Sequence, residues 1–261
     1  MSLAAEQVSF AYYGRPVLRE ISLTIEPGEF LGFLGPNGSG KSTFLKIILG
    51  YLKPSRGRIL FSGTHTLPNQ EERSRRIAFL PQNPVLHGSL LVKEVIVLGR
   101  LPHIKDRWAG YGKSDWAKVA EVMEILGISG LADRKVTELS GGERQKVIIG
   151  RCLVQEGDIL LLDEVSSGLD LNHTIEIMEF MRQKSGKEGK TIIAVLHDLN
   201  LASQYCDRIV LLKEGCLRYQ GGPREVITGN MVEEIYGIRA LIQTDGEGRP
   251  VVLPRRNNGE D

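Results

Sequence analysis

Apolar and polar residues follow several distinct patterns along the chain. Residues 7–26 alternate apolar and polar side chains on both sides of a turn at residues 14–16, which predicts a β-hairpin. Residues 57–63 and 75–82 are shorter strand-like segments between turn residues, the second ending in Pro-Gln. The first third of the chain is therefore predicted to be rich in strands.

Three short segments contain an unbroken apolar run, which is typical of strands buried on both faces. They are residues 29–35, 158–164 and 191–198. The first leads into helical spacing that Gly50 can terminate, and a helix is predicted over residues 171–184. Buried strands alternating with helices predict an α/β fold with a parallel sheet.

The pattern becomes helical after Ser89. Ser89 is predicted to cap a helix that ends at Gly99, and Ser114 a second helix that ends at Gly127. The stretch between them, Arg100 to Lys113, is predicted to be an exposed loop, and the whole block to be a helical insertion.

The tail of the chain carries three weaker patterns. Residues 223–238 have helix-like spacing and residues 246–254 predict a short terminal strand, whereas residues 255–261 are polar and charged enough to be disordered.

Composition is that of an ordinary soluble protein. The chain has 261 residues, of which 41% are hydrophobic and 25% charged, with a formal net charge of +1. This balance of charge does not indicate binding to nucleic acid, and no apolar run reaches the ~18 residues that span a bilayer. The start of the chain carries no charged-then-apolar export pattern. Cys152, Cys206 and Cys216 lack metal or redox spacing, so we expect reduced thiols that fill the core.

Residues 35–42, GPNGSGKS, match the pattern of a phosphate-binding loop. Glycines allow such a loop to turn its amides toward a triphosphate, through backbone angles that a β-carbon blocks. Lys41 can then reach the β- and γ-phosphates and Ser42 can hold Mg²⁺. The loop is therefore predicted to bind a nucleoside triphosphate.

Two aromatic residues precede this loop. Either Tyr12 or Tyr13 can stack on the adenine of the nucleotide, and either can equally be a surface aromatic of a strand.

Residues 139–145, LSGGERQ, predict a helix N-terminus. Ser140 at the N-cap and Glu143 three residues later form a capping box. The box does not explain Gly141 and Gly142, because glycine weakens a helix by about 1 kcal/mol relative to alanine. Bare amides at a helix N-terminus do suit a phosphate, so we predict a second anion site here.

Polar residues at the ends of predicted buried strands are the catalytic candidates. Asp163 is placed to hold Mg²⁺ through its water shell, and Glu164 to polarise the attacking water. His197 follows another buried strand, where it can touch a γ-phosphate. Gln82 follows the strand after the phosphate loop and is of interest for that reason.

Six segments occur in a fixed order: the phosphate loop, Gln82, LSGGERQ, ILLLDE at 159–164, SSGLD at 166–170 and His197. Over about residues 5–225 they resemble the ATP-binding subunit of an ABC transporter. The resemblance implies a P-loop NTPase (RecA-like) core with an antiparallel β subdomain and an inserted α-helical subdomain. The implied single cassette assigns about 1–85 and 157–225 to the core and β subdomain, 86–156 to the helical subdomain and 226–261 to a C-terminal extension.

The resemblance also implies roles for individual residues. Tyr12 matches the adenine-stacking aromatic, with Tyr13 as the alternative in register. Gln82 matches the residue that senses Mg²⁺ and the permease, Asp163 the Mg²⁺ carboxylate, Glu164 the catalytic base and His197 the switch at the γ-phosphate. The phosphate loop that it implies comprises Gly35, Pro36, Asn37, Gly38, Ser39, Gly40, Lys41, Ser42 and Thr43.

Ser140, Gly141 and Gly142 match the segment that caps ATP bound to a second copy of the subunit. The implied mechanism is a homodimer that closes around ATP and opens after hydrolysis, moving a permease gripped near Gln82. Two departures from the family pattern are Val165-Ser166 after the catalytic acid, and Gly150 and Cys152 in place of alanines. Neither replaces a phosphate-binding group, although the geometry around Asp170 is left open.

Residues 195–215 and LGRLPH at 98–103 most resemble the ATPases that import ferric siderophores, haem and cobalamin. The implied partners are integral membrane permease subunits and, indirectly, an extracytoplasmic substrate-binding protein, without nucleic acid. The implied location is peripheral, at the cytoplasmic face of the inner membrane. Importers of molybdate, zinc or manganese, a soluble ABC-type ATPase outside transport, and a regulatory cassette without activity are the alternatives.

Overall fold

A computed structural model describes residues 1–62, 69–82, 89–104, 108–164 and 170–255. The strands in these ranges are β1 (Leu3–Tyr12), β2 (Arg15–Ile25), β3 (Phe30–Leu34), β4 (Arg56–Phe61), β5 (Ile77–Leu80), β6 (Ile159–Asp163), β7 (Thr191–Val195), β8 (Arg208–Lys213), β9 (Cys216–Gly221), β10 (Ala240–Thr244) and β11 (Pro250–Pro254). The α-helices are α1 (Lys41–Ile48), α2 (Gln70–Arg76), α3 (Val92–Val97), α4 (Lys113–Ile125), α5 (Gly141–Leu153), α6 (Leu171–Glu188), α7 (Leu199–Tyr205), α8 (Pro223–Val226) and α9 (Gly229–Tyr236). Short 3₁₀ helices cover Leu98–His103, Ser129–Leu131 and Val136–Glu138.

The chain divides into two compact units. The first unit combines residues 1–67 with 177–261, and the second consists of residues 68–176. None of the helices in the described ranges is both long and apolar enough to cross a membrane.

In the first unit, the predicted hairpin is confirmed as β1 and β2, which pair antiparallel beside β4. The turn lies at Tyr13 and Gly14, one residue earlier than predicted, because Pro16 already pairs with Ala11 as part of β2. Both turn residues have positive φ, 47° and 79°, as the tightest hairpin turns require.

The strand β3 lies between β7 and β8, parallel to both, and β9 pairs antiparallel with β8. All five residues of β3 and of β7 are buried, which confirms the prediction from their continuous apolar runs. The strands therefore form the interior of the first unit, and their carboxyl ends meet at one edge.

In the second unit, β5 and β6 pair in parallel. Helices α3, α4 and α5 share an apolar core that includes Val95, Ile96, Val122 and Val147, which confirms a helical block in this part of the chain. Gly150 of α5 packs closely in this unit, since a β-carbon there would stand 3.1 Å from Ile96 Cδ1. That contact is a packing reason for glycine where alanine is common.

The predicted helix start at Ser89 is wrong. Leu91 is the N-cap of α3, and its amide donates to Glu94 Oε2 at 2.8 Å. Gly99 does not end the helical segment, which continues as a 3₁₀ helix to His103. In the same way Gly112, not Ser114, caps α4, with Asp115 Oδ2 accepting from the Gly112 amide at 3.0 Å.

The predicted exposed loop over residues 100–113 is also wrong at its start. Arg100 is buried, and its guanidinium binds Asp115 Oδ1 at 2.9 Å, Glu156 Oε2 at 2.7 Å and the Val154 carbonyl at 2.8 Å. Residues 105–107 of this stretch lie outside the described residues. Partners far along the chain explain why local spacing does not reveal this contact.

The ends of several other strands and helices differ from the predicted ends or refine them. The strand predicted over 75–82 is shorter, because Arg75 and Arg76 end the helix α2. The helix-like tail is confirmed as α8 and α9, separated where Thr228 caps the second helix by accepting from the Met231 amide. The predicted terminal strand is confirmed as β11, paired with β10, and residues 256–261 lie outside the described residues.

Candidate functional site

The glycine-rich loop joins β3 to α1 in the first unit. Gly35, Gly38 and Gly40 have φ values of 139°, 77° and 106°, which L side chains rarely adopt. A β-carbon at Gly35 would stand 2.0 Å from the Leu212 carbonyl oxygen, and one at Gly40 would stand 2.6 Å from Leu18 Cδ2. Backbone angle and packing thus both require glycine in this loop.

The start of α1 presents groups that suit an anion. Gly40 is its N-cap and provides no side-chain cap for the first amides. Lys41 is 5% exposed and its Nζ donates to the carbonyls of Gly35 at 2.7 Å and Pro36 at 3.0 Å. The buried Ser39 hydroxyl has no hydrogen-bond partner in the described part of the chain. Amides, an ammonium and a hydroxyl are therefore gathered at one helix N-terminus.

His197 belongs to the same edge of the first unit. The register pairs Phe33 of β3 with Val195 of β7, and Gly35 and His197 each lie two residues beyond that pair. His197 is exposed, whereas Leu196 before it is buried. The parallel register therefore brings the histidine to the strand ends from which the glycine-rich loop departs.

Tyr12 and Tyr13 differ in how firmly they are held. Tyr12 is 37% exposed, and its ring packs edge-on against Phe10 with 4.8 Å between centroids. Tyr13 occupies the hairpin turn and is fully exposed. The contact with Phe10 favours Tyr12 as the ordered aromatic surface of the two.

The acids of the second unit follow a buried strand. All five residues of β6 are buried, including Asp163 at its end. Glu164 has a φ of 56°, an unfavourable backbone conformation for a residue with a β-carbon. This angle ends the extended backbone of β6, so that Glu164 lies directly after the buried strand.

Gln82 meets Glu164 in this unit. Leu80 of β5 pairs with Leu162 of β6, and the two polar residues each lie two positions further on. The Gln82 side-chain amide donates to Glu164 Oε2. The structure therefore joins two of the residues that the sequence proposed for the catalytic centre. Residues 165–169, which include the unusual Val165-Ser166, lie outside the described residues.

The N-terminus of α5 is a complete capping box, as predicted. The Ser140 hydroxyl accepts from the Glu143 amide at 3.3 Å, and Glu143 Oε2 accepts from the Ser140 amide at 2.8 Å. The Ser140 hydroxyl also donates to Glu143 Oε2 at 2.8 Å. Donation from the Ser140 amide and hydroxyl holds the pKa of Glu143 below its usual range. The box is therefore made with an ionised glutamate at neutral pH.

His173 completes this region and was not among the residues that sequence reasoning selected. Its Nδ1 lies 2.9 Å from Asp170 Oδ1, and the Nε2 edge of its ring lies over Gly142. A β-carbon at Gly142 would stand 2.7 Å from Nε2, whereas one at Gly141 would meet none of the described residues within 4 Å. A histidine three residues after an aspartate is a visible pattern, but nothing in it points to a glycine thirty-one residues earlier.

Comparison with known proteins assigns these features to a family. Residues 18–167 match the family model described as ABC transporter. The chain is 38% identical to the ferric enterobactin transport ATP-binding protein FepC of Escherichia coli K12, covering 97% of this chain and 93% of that protein. It is also 38% identical to the hemin import ATP-binding protein HmuV of Pseudomonas aeruginosa, covering 97% of this chain and all of that protein.

Solved structures agree with the sequence comparison. An inward-facing metal-chelate type ABC transporter superposes with a TM-score of 0.86 at 25% identity, covering 98% of this chain and 97% of that one. The dimeric cassette MJ0796 superposes with a TM-score of 0.75 at 29% identity, covering 84% of this chain and 98% of that one. The predicted P-loop α/β fold of an ABC ATPase is thereby confirmed. The chain belongs to the ATP-binding proteins of the ABC transporter family.

Proposed function

We propose that the protein is the ATP-hydrolysing subunit of an ABC importer that takes up a ferric siderophore, haem or cobalamin. The observation that carries the proposal is the match along almost the whole chain to the ATP-binding proteins of ferric enterobactin and hemin import. The match extends through the C-terminal segment beyond the family model, which ends at residue 167.

The glycine-rich loop holds the phosphates in this proposal. The uncapped amides of α1 and the Lys41 ammonium offer donors and positive charge to the β- and γ-phosphates. Lys41 now donates to two carbonyls of its own loop, so ATP replaces those bonds with bonds to phosphate oxygens. The remaining loop residues, Gly35 to Thr43, line the phosphates, and Tyr12 stacks on adenine with its ring held by Phe10.

Hydrolysis needs a positioned water and a base. Glu164 accepts a proton from water as the water oxygen bonds to the γ-phosphorus and the bond to the bridging oxygen breaks, leaving ADP and phosphate. Gln82 donates to Glu164 and so fixes which carboxylate oxygen faces the water. His197 contacts the γ-phosphate from the strand end beside the glycine-rich loop.

A magnesium ion fits the donors that the chain supplies. Ser42, Gln82 and Asp163 present hydroxyl, amide and carboxylate oxygens, which are the hard ligands that Mg²⁺ prefers. When bound, Mg²⁺ neutralises charge on the β- and γ-phosphates. With its NH₂ group engaged by Glu164, Gln82 has its amide oxygen for this role.

Each nucleotide is shared between two copies of the chain. Ser140, Gly141 and Gly142 form an anion-binding helix N-terminus, and a β-carbon at Gly141 would meet none of the described residues within 4 Å. A second copy fills that position with the γ-phosphate of its own ATP. Dimeric association is also seen in the similar cassette MJ0796. ATP therefore favours the closed dimer, and hydrolysis removes the group that bridges the two copies.

The closed dimer acts on membrane permease subunits, which receive cargo from an extracytoplasmic binding protein. The chain is peripheral at the cytoplasmic face of the inner membrane, and cargo selectivity belongs to its partners.

Co-purification from membranes tests this function. Tagged Glu164→Gln protein, loaded with MgATP, is recovered from detergent-solubilised membranes and its partners are identified by mass spectrometry. We expect a polytopic permease. When that permease is reconstituted with the wild-type chain, ATPase activity should rise as one of these metal chelates is presented by its binding protein. Recovery of soluble partners or nucleic acid alone would contradict the proposal, and stimulation by molybdate, zinc or manganese instead would correct the cargo.

A further inference from the structure

Two adjacent glycines at the start of α5 leave that turn poorly restrained. Each glycine costs a helix about 1 kcal/mol relative to alanine, because its backbone has more freedom to lose. Amides that receive a phosphate must nevertheless be held in a fixed direction, since small errors of orientation weaken charge-assisted hydrogen bonds. The Ser140–Glu143 box restrains the turn from one side.

His173 contacts the turn from another direction. Its ring lies over Gly142, where a β-carbon would stand 2.7 Å from Nε2 and 3.0 Å from both Cδ2 and Cε1. The ring is itself held, because Nδ1 lies 2.9 and 3.0 Å from the two oxygens of Asp170. Asp170 Oδ1 also accepts from the His173 amide at 2.9 Å, as an N-cap does.

A second contact keeps the two helices in register. Glu176, one turn after His173, lies 3.5 Å from Lys146, one turn after Gly142. The first two turns of α5 and α6 are therefore joined by two contacts within the second unit. Asp170 lies only six residues after Glu164, so this junction is close in sequence to the proposed catalytic base.

We infer that His173, held by Asp170, is a positioning residue that orients the amides of Gly141 and Gly142 toward the nucleotide of a second copy. The inference rests on the proposed function, because it assigns His173 to the shared site. It also explains why each of the two positions is glycine. The His173 ring occupies the space of a side chain at Gly142, and the phosphate bound to the second copy occupies the space of a side chain at Gly141.

Dimer affinity in a hydrolysis-deficient background tests the inference. His173→Ala is introduced into Glu164→Gln, and the dimer dissociation constant in MgATP is measured by sedimentation. We expect the variant to raise the dimer dissociation constant roughly tenfold, because it loses a contact worth about as much as one hydrogen bond. Nucleotide affinity of the dilute monomer stays at the parent's value, because that binding uses the glycine-rich loop and not this turn, whereas a general loss of structure would lower it as well.

Asn172→Ala is the matched control, because Asn172 lies in the same turn and, among the described residues, its side-chain hydrogen bond is to Glu176 on the exposed surface. It leaves the dimer constant within about twofold of the parent. An equally tight dimer with His173→Ala would overturn the inference while the proposed function stands. A parent that stays monomeric in MgATP would overturn the proposed function, and this inference with it.

Gly142→Ala tests the same contact by changing the glycine instead of the histidine. Its β-carbon collides with the ring that Asp170 holds, so it weakens the dimer strongly when His173 is present and less when His173 is alanine. Gly141→Ala weakens the dimer to the same degree in both backgrounds. If Gly142→Ala raised the dimer dissociation constant by the same factor with and without His173, the inference would be contradicted. This comparison holds even if His173→Ala alone lowers the stability of the fold.

Discussion

Individual contacts hold Glu164 and the two glycines of α5 in the proposed site. Glu164 adopts a positive φ and accepts from Gln82, so its carboxylate is held by both backbone and side chain. Gly142 lacks a side chain because a histidine ring occupies the space. Sequence spacing identifies the first residue and the glycines, but it cannot supply the contacts that explain them.

Cysteine chemistry gives a prediction at this scale. Burial raises the pKa of the Cys152 thiol to about 12, and burial raises that of Cys206 as well. Cys216 is only partly buried. Because the thiolate is the reactive form, iodoacetamide at pH 8 should modify Cys216 alone in the native protein and all three cysteines after unfolding. Mass spectrometry of tryptic peptides measures this, and native labelling of Cys152 would show that the α5 packing is wrong.

The same shift predicts a pH effect on stability. The unfolded thiol ionises near pH 9 while folded Cys152 stays protonated, so the folded form binds more protons between these values. The contribution of this thiol is therefore complete below about pH 8.5 and falls as pH rises toward about 12. Cys152→Ala should lower the free energy of unfolding less at pH 10 than at pH 7.

At the scale of elements, the buried ion pairs of Arg100 tie the 3₁₀ helix Leu98–His103 to α4. Arg100 and Asp115 have side chains only 11% and 14% exposed. Breaking such a pair leaves a buried charge without its partner, so Arg100→Met should lower the free energy of unfolding by about 3 kcal/mol. Arg58→Met, which breaks an exposed pair with Glu6, should cost less than about 1 kcal/mol.

Urea denaturation at two pH values measures the Arg100 effect. The Arg100 hydrogen bond is the main reason that the pKa of Asp115 lies below its usual range. Stability from a lowered carboxyl pKa is present above the unfolded value near 4 and is lost as pH falls through the folded value. The difference between wild type and Arg100→Met should therefore shrink below about pH 4, and a constant difference would contradict the ion-pair account.

These elements also mark the limit of prediction from sequence. Unbroken apolar runs predicted β3, β6 and β7, and the Ser140–Glu143 spacing predicted the start of α5, because each pattern is local. The helix α2 was missed because its sequence is almost entirely polar, and the start of α3 because Leu91 is no usual N-cap. Arg100 and His173 depend on partners fifteen or more residues away, which no local pattern contains.

At the scale of the whole molecule, the central claim is that each ATP lies between two copies. Ser140→Arg places a bulky cation at the α5 N-terminus, and Lys41→Ala removes a phosphate donor, so each homodimer should lose activity. A mixed dimer keeps one complete site, formed by Lys41 of the first variant and Ser140 of the second. Activity of the mixture above the sum of the separate proteins supports the claim, and the absence of any gain indicates a site within one chain.

The most direct measurement is the mass of Glu164→Gln protein in solution with and without MgATP, by sedimentation or light scattering. Removing the base should lower turnover by about 10²-fold to 10⁴-fold while ATP still binds. We expect a monomer without nucleotide and, with MgATP, a stable dimer that holds two ATP molecules. A variant that binds ATP, still hydrolyses it and remains monomeric would show that the nucleotide is not shared between two copies.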